Sequence, residues 1–192
     1  MRPKAVVLAC LVAVSSWVLA ADLPAGWIKA GSAPADYDMG VDSVVRHAGA
    51  ASGTIHAKSA ETDPKNFGTL MQMGDPGEYR GKRVRLSGYV RSDKVEGGWA
   101  GLWFRVDGPQ RSPLAFDNMQ DRAIKGTTDW TKVAIVLDVP QEATAIAYGI
   151  LLSGPGQVWM DDLKFEVVTS DVPVTGQGRP SGGKPQNLDF EE

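Results

Sequence analysis

Two adjacent carboxylates, Asp161 and Asp162, sit inside the run Gly-Gln-Val-Trp-Met-Asp-Asp-Leu-Lys-Phe-Glu-Val-Val from Gly156 to Val168. At a period of two, Trp159, Leu163, Phe165 and Val167 share one face, as in a strand half buried in a core. Asp161 has the same parity and so points toward that core. An isolated buried charge is too costly to persist, so a carboxylate there must be paired, hydrogen-bonded or bound to a cation. A bulge at the Asp161-Asp162 pair would turn one or both sideways instead.

Aromatic rings are the second candidate chemistry. Trp27, Trp99, Trp103, Trp130 and Trp159 are a high load for one small domain. A flat ring can stack on the apolar face of a pyranose while polar neighbours bond its hydroxyls; the competing use is core packing, where such rings bury large areas. Trp130 and Trp159 are assigned to the core. Trp103 alternates with Leu102 and Phe104 and stands beside Arg105, whereas Tyr89 and Arg91 take the outer face of what reads as a neighbouring strand. Together with Asp117, Asn118 and Gln120, these residues would make a groove with an aromatic platform and polar partners. On that reading Trp103→Ala removes binding and spares stability. Surface charge pairing among Arg85, Arg91, Arg105 and Asp117 is the ordinary alternative.

Other chemistries are excluded or lack their residues. His47 and His56, the only histidines, do not have the spacing of a metal pair, and no cysteine backs them for zinc. Neither a Gly-x-Ser-x-Gly elbow nor a phosphate-binding Gly-rich loop is present. The carboxylates form no recognisable acid and base pair, so the chain is expected not to be an enzyme.

Arg2 and Lys4 precede the apolar run Ala5–Val14, and Val18-Leu19-Ala20 supplies a cleavage site, so residues 1–20 read as a secretory signal. The run is too short for a confident membrane anchor. The Val7-Leu8-Ala9-Cys10 stretch faintly resembles a lipoprotein signal, but few apolar residues precede it. Cleavage after Ala20 removes Cys10, the single cysteine, and with it disulfides and thiol catalysis. It also removes two positive charges from a net charge of −3. A mildly acidic, exported chain lacks the basic footprint of nucleic-acid binding and is not expected on an anionic membrane surface. The expected location is secreted or periplasmic.

Short alternating runs separated by turn residues organise the rest. Thr54–Lys58, Phe67–Met73, Lys82–Arg91, Ala100–Val106, Thr131–Val139, Ala145–Leu152 and Gly156–Val168 read as strands. The residues from Asp22 to Asp38 read as loop, and Asp117–Ile124 as at most a short turn. This is the pattern of an all-β sandwich or jelly roll over 21–170. From Ser170 the composition shifts. Residues 171–186 are rich in Pro and Gly and cannot bury enough surface to order themselves, so 171–192 reads as a flexible tail. It ends in Asn187-Leu188-Asp189-Phe190-Glu191, which alternates like a strand.

Four pieces in order carry a family resemblance: Asp42 with His47–Ser52, Tyr79–Lys82 leading into Val84–Val90, the Gly126–Trp130 turn, and Val158–Leu163. The chain thereby resembles the carbohydrate-binding modules of the galactose-binding-like jelly-roll type over about residues 27–168. The resemblance implies a non-catalytic module that binds carbohydrate. It also implies a structural calcium held by Asp161 and Asp162, with carbonyls of the His47–Ser52 turn completing an oxygen shell. Hydrogen bonds from backbone amides are the other account of those carboxylates. Members commonly begin with an Asn-x-x-Phe-Glu strand before a Gly-Trp; here Gly26-Trp27 lacks it, and the piece stands at 187–191. Docking of that segment on the domain edge near Trp27 would bring Glu191 toward the calcium. A structural or protein-interaction module with an envelope partner is the alternative of a different class, and an unrecognised hydrolase a third.

Overall fold

The runs Lys82–Arg91 and Ala100–Val106 form one strand. In the computed structural model, which describes residues 23–178, a single 26-residue strand, Lys82–Asp107, runs through both layers of a sandwich. The expected signal at 1–20 and the segment 187–191, including Glu191, lie outside the described residues.

The strands in chain order are β1 (Trp27–Gly31), β2 (Tyr37–Asp42), β3 (Ser52–Ala57), β4 (Phe67–Gly74), β5 (Lys82–Asp107), β6 (Pro113–Asp117), β7 (Ile124–Val139), β8 (Ala145–Ser153), β9 (Gln157–Val168) and β10 (Gln177–Gly178). The first half of β5 lies between β9 and β7, and β9 continues through β3 to β2. The second half lies between β8 and β6; β8 continues through β4 to β1, and β6 carries β10. All pairings are antiparallel, as suits a sandwich with one face of each layer on the core. β5 changes layers around residues 93–98, where Lys94 and Gly97 have positive φ and the register to β7 shifts repeatedly. The two layers are called here the β9 sheet and the β8 sheet.

The core follows from the alternation. Val84, Leu86 and Val90 from one half of β5 and Leu102, Phe104 and Val106 from the other are completely buried. Ile135 and Leu137 of β7, Ile150 and Leu152 of β8, and Val158 of β9 join them. The fold is thus an all-β jelly-roll sandwich, as the periodicity predicts. No helix among the described residues is long and apolar enough to cross a membrane.

A bulge in β9 resolves the conflict at Asp161. The register to β5 shifts between Ser87↔Lys164 and Tyr89↔Asp161, and Asp162 has a φ of 52°. The extra residue reverses the strand's parity at that point. Leu163 and Phe165 therefore pack on the core, while Trp159 and Asp161 belong to the outer side. The two carboxylates are turned away from the core.

The tail is held further than its composition suggests. The Arg83 guanidinium donates to the carbonyls of Ser170 and Val172, both at 2.7 Å, and Thr175 bonds to Val136 through both its backbone and its hydroxyl. Residues 169–176 thus cross from β9 to β10 under several bonds.

Phe104 has no exposed surface and meets Phe165 edge-on at 5.4 Å between ring centroids. Phe104→Ala should lower the unfolding free energy by about 3–5 kcal/mol, the range for truncating a core aromatic. Urea unfolding measures it, and a loss below about 1 kcal/mol would place Phe104 outside the core.

Candidate functional site

The outer side of the β8 sheet forms a groove of about 760 Å³. Its position follows from alternation: the odd-numbered residues of β4, β5 and β8 that face away from the core face into it. Met71, Trp103, Ala147 and Leu151 make a second buried apolar cluster there, with Phe67 and Trp99 packed against it. Ile28, Met73 and Phe116 lie along the groove and are 49%, 53% and 39% exposed. Lys65, Arg105, Asn118, Gln120 and Ser153 supply polar groups. The site has an apolar floor and a polar rim.

Trp103 is the floor's central residue. Its cross-strand partner is Gly149 on β8, where an added Cβ would lie 2.2 Å from the Leu70 carbonyl oxygen. No side chain fits at that position. The indole reaches past it to β4, where Nε1 donates to Thr69 Oγ1 at 2.8 Å, and that hydroxyl donates to the Ile150 carbonyl at 2.7 Å. The ring is thereby fixed and only 7% exposed. An exposed Trp103 platform that could be removed without loss of stability is therefore corrected: the ring faces outward yet is packed. Trp99, half-buried, and Phe116 offer the accessible aromatic surface that the sequence reading missed.

Two of the expected groove residues lie elsewhere. Tyr89 and Arg91 face outward, but on the β9 sheet, because β5 crosses between layers; they cannot share a ligand with Trp103. Tyr89 stacks on the His47 ring at 3.7 Å, and Arg91 lies over the Trp159 ring at 5.8 Å. Trp130, assigned to the core from sequence, is half-buried on this outer side and meets His47 edge-on.

Asp117 is turned inward and is not a ligand group. Its side chain is 4% exposed and accepts from the Arg122 guanidinium at 2.6 Å, the Thr175 hydroxyl at 2.5 Å and the Met119 N–H at 2.8 Å. Burial alone would raise its pKa, but the bonds from Arg122, Thr175 and Met119 outweigh this and hold it below the ordinary carboxylate range. Arg105, Asn118 and Gln120 do come together on the rim. Arg105 is oriented by Asp107 at 2.9 Å, and the Asn118 side chain accepts from the Gln120 N–H at 3.1 Å.

The carboxylates at the bulge organise a loop. Asp161 Oδ2 accepts from the backbone N–H groups of His47 and Ala48 at 2.8 and 3.1 Å, and Oδ1 from that of Asp162 at 2.8 Å. Asp162 reaches His47 Nδ1 at 2.6 Å. Asp42 accepts from Val44 and Val45 N–H and, at 2.9 Å, from Trp159 Nε1. The His47–Ser52 turn thus meets Asp161 as expected, through the N–H donors of His47 and Ala48. No group of three or more Asp, Glu, His or Cys is gathered for a metal among the described residues.

No family model matches the chain. Over 169 residues it is 44% identical to a Bacillus subtilis (strain 168) protein named an uncharacterized HTH-type transcriptional regulator, YbfP; the match covers 87% of this chain and 57% of that one. The chain therefore spans little more than half the length of this relative. Among solved structures, the CBM22-1 xylan-binding domain from Paenibacillus barcinonensis Xyn10C superposes with a TM-score of 0.54 at 16% identity, over 77% of this chain and 89% of that one. The two share a β-sandwich fold. TmCBM61, solved in complex with β-1,4-galactotriose, has a TM-score of 0.50 at 13% identity, covering 75% and 90% of the two chains. The enzymatically active domain of the bacteriophage CBA120 tailspike protein 4 has 0.55 at 13% identity, but this chain spans only 20% of it. At such identities the likeness concerns the fold alone.

Two outcomes follow from this geometry. Trp103→Ala should lower the unfolding free energy by about 3–5 kcal/mol, because its ring is a packed part of the second cluster; an unchanged melting temperature would return it to the surface. Asp117 should contribute to the acid limb of stability. A carboxyl held below its unfolded pKa of about 3.9 stabilises the fold above that value, and the contribution is lost as pH falls through the folded value. Asp117→Asn should be less stable at neutral pH and show a shallower decline below about pH 4. Parallel pH–stability curves for the two proteins would disprove this role.

Proposed function

We propose that the chain is a non-catalytic binding module whose groove on the β8 sheet takes carbohydrate. The observation that carries this reading is the groove itself: a fixed apolar floor flanked by accessible Trp99 and Phe116, with Arg105, Asn118, Gln120 and Lys65 on the rim. Aromatic faces can lie against the C–H face of a sugar ring, and amide and cationic donors can bond its hydroxyls. The names of the similar solved structures support the same substrate class, since one is a xylan-binding domain and another was solved with a β-1,4-linked galactose trimer. The amino-terminal reading supports export, with the module working outside the cytoplasm or in the envelope.

A second reading keeps the face and changes the occupant. The exposed Ile28, Met73 and Phe116 favour a protein partner seated on the same apolar surface. In the envelope this would make the chain an accessory module.

Affinity electrophoresis and titration calorimetry with xylo- and galacto-oligosaccharides test the first reading. Trp99→Ala and Phe116→Ala should each weaken retention at least about tenfold, equivalent to 1.4 kcal/mol, with both variants still folded by circular dichroism at the assay temperature. Tyr89→Ala should leave retention unchanged. A glycan array without a hit, or equal loss from Tyr89→Ala, would count against the groove as a carbohydrate site.

A further inference from the structure

The groove on the β8 sheet carries positive charge at both ends, in a chain with more acids than bases. Arg105 and Lys65 line it and, among the described residues, no aspartate or glutamate does. The whole sequence has 23 acidic and 20 basic residues. Acids in the neighbouring segments are engaged elsewhere. Asp107, whose side chain is 5% exposed, lies behind Arg105; Asp121 pairs with Arg122 at 2.8 Å, and Asp63 accepts from the Lys65 N–H at 2.9 Å. The two cations stand well apart. Arg105 is opposite Ala147 on β8, whereas Lys65 follows Pro64, whose carbonyl accepts from the Ser153 hydroxyl at 2.6 Å. Ala147 and Ser153 are about 20 Å apart along β8 at the usual strand rise.

The rim is also rich in donors. Arginine and lysine side chains can only donate, and the Asn118 carbonyl oxygen already accepts from the Gln120 N–H at 3.1 Å. The Asp107 carboxylate lies 2.9 Å from both Nε and Nη2 of Arg105. That contact fixes the guanidinium and leaves its Nη1 edge without a protein partner among the described residues. Such an edge meets a carboxylate with two parallel bonds. Phe116 stands beside it as the cross-strand partner of Arg105 on β6.

We propose that the glycan this groove takes is acidic, with the carboxylate of a uronic acid seated on the free edge of Arg105 and the sugar chain running toward Lys65. This rests on the carbohydrate reading above and narrows it. An ionised carboxylate only accepts, so it complements a rim that mostly donates. A neutral sugar, whose hydroxyls donate as well as accept, would find no charged acceptor there.

Titration calorimetry on the full chain with matched pairs of probes tests this. The probes are a xylo-oligosaccharide bearing glucuronic acid, an oligogalacturonate, and each of these after reduction of its carboxyls to alcohols. The acidic member of at least one pair should bind about tenfold tighter or better, since hydrogen bonds to charged groups exceed neutral ones. Arg105→Gln should remove that preference. Because this variant strips Asp107 of its partner, Arg105→Lys is measured beside it. There a charge stays next to Asp107 while the planar edge is lost, so the preference should fall with the fold retained by circular dichroism. Equal affinity for the acidic and reduced members of both pairs would overturn the proposal and leave the carbohydrate reading standing. Failure of all these probes and of neutral xylo- and galacto-oligosaccharides to bind would overturn both. A preference unchanged in both variants would overturn the assignment to Arg105.

Discussion

One backbone, β5, is shared by both layers, and most of the domain depends on that continuity. Each half is flanked by two strands, so it contributes core side chains to both sheets without a loop between them. Its crossing at 93–98 requires positive φ at Lys94 and Gly97 and a run of register shifts to β7. Everything placed before the crossing and everything placed after it ends up on opposite outer surfaces. The aromatic residues of β5 are sorted by this bend, with Tyr89 going to one side and Trp99 and Trp103 to the other.

That bend explains where a reading from sequence succeeds and where it fails. Val84, Leu86, Leu102 and Phe104 are legible as core from parity alone, because parity reports inside against outside. It does not report which outside. Two strands of matching parity imply a common surface only if they lie in one sheet, and the residues 92–99 carry no local signal of a change of layer. The reversal at Asp161 was legible as an alternative, since two adjacent acids in an apolar strand demand some adjustment. β1 and β6 were harder, being short strands near sheet edges, one containing exposed Ile28 and Lys29 and the other beginning at Pro113. β2 carries an inward Tyr37–Met39 pair that could have been read as a strand, but the surrounding Pro and Gly residues masked it.

The fixed loop on the β9 sheet shows how polar groups that seem to advertise a ligand can serve the fold. Asp42 and Asp161 between them accept four backbone N–H groups of the loop or its flanks and one indole N–H, besides Asp161's bond within its own bulge. Such bonds to ionised acceptors are stronger than neutral ones. They cover Trp159, which is buried although it faces away from the core. Acid pairs in sequence therefore speak to loop anchoring as readily as to a cation, and only the identity of the atoms facing them separates the two.

The tether between Trp103 and Thr69 has a consequence for discrimination. With its single N–H already engaged and its ring packed, the indole offers an occupant of the groove no directional donor. A floor of that kind is indifferent to the handedness of a hydroxyl. Stereochemical choice must then come from the flanks, where Arg105, Asn118 and Gln120 stand. If the groove takes carbohydrate as proposed, variation at those three positions would retune which isomer is accepted without disturbing the packed layer beneath, so selectivity and foldedness would drift separately.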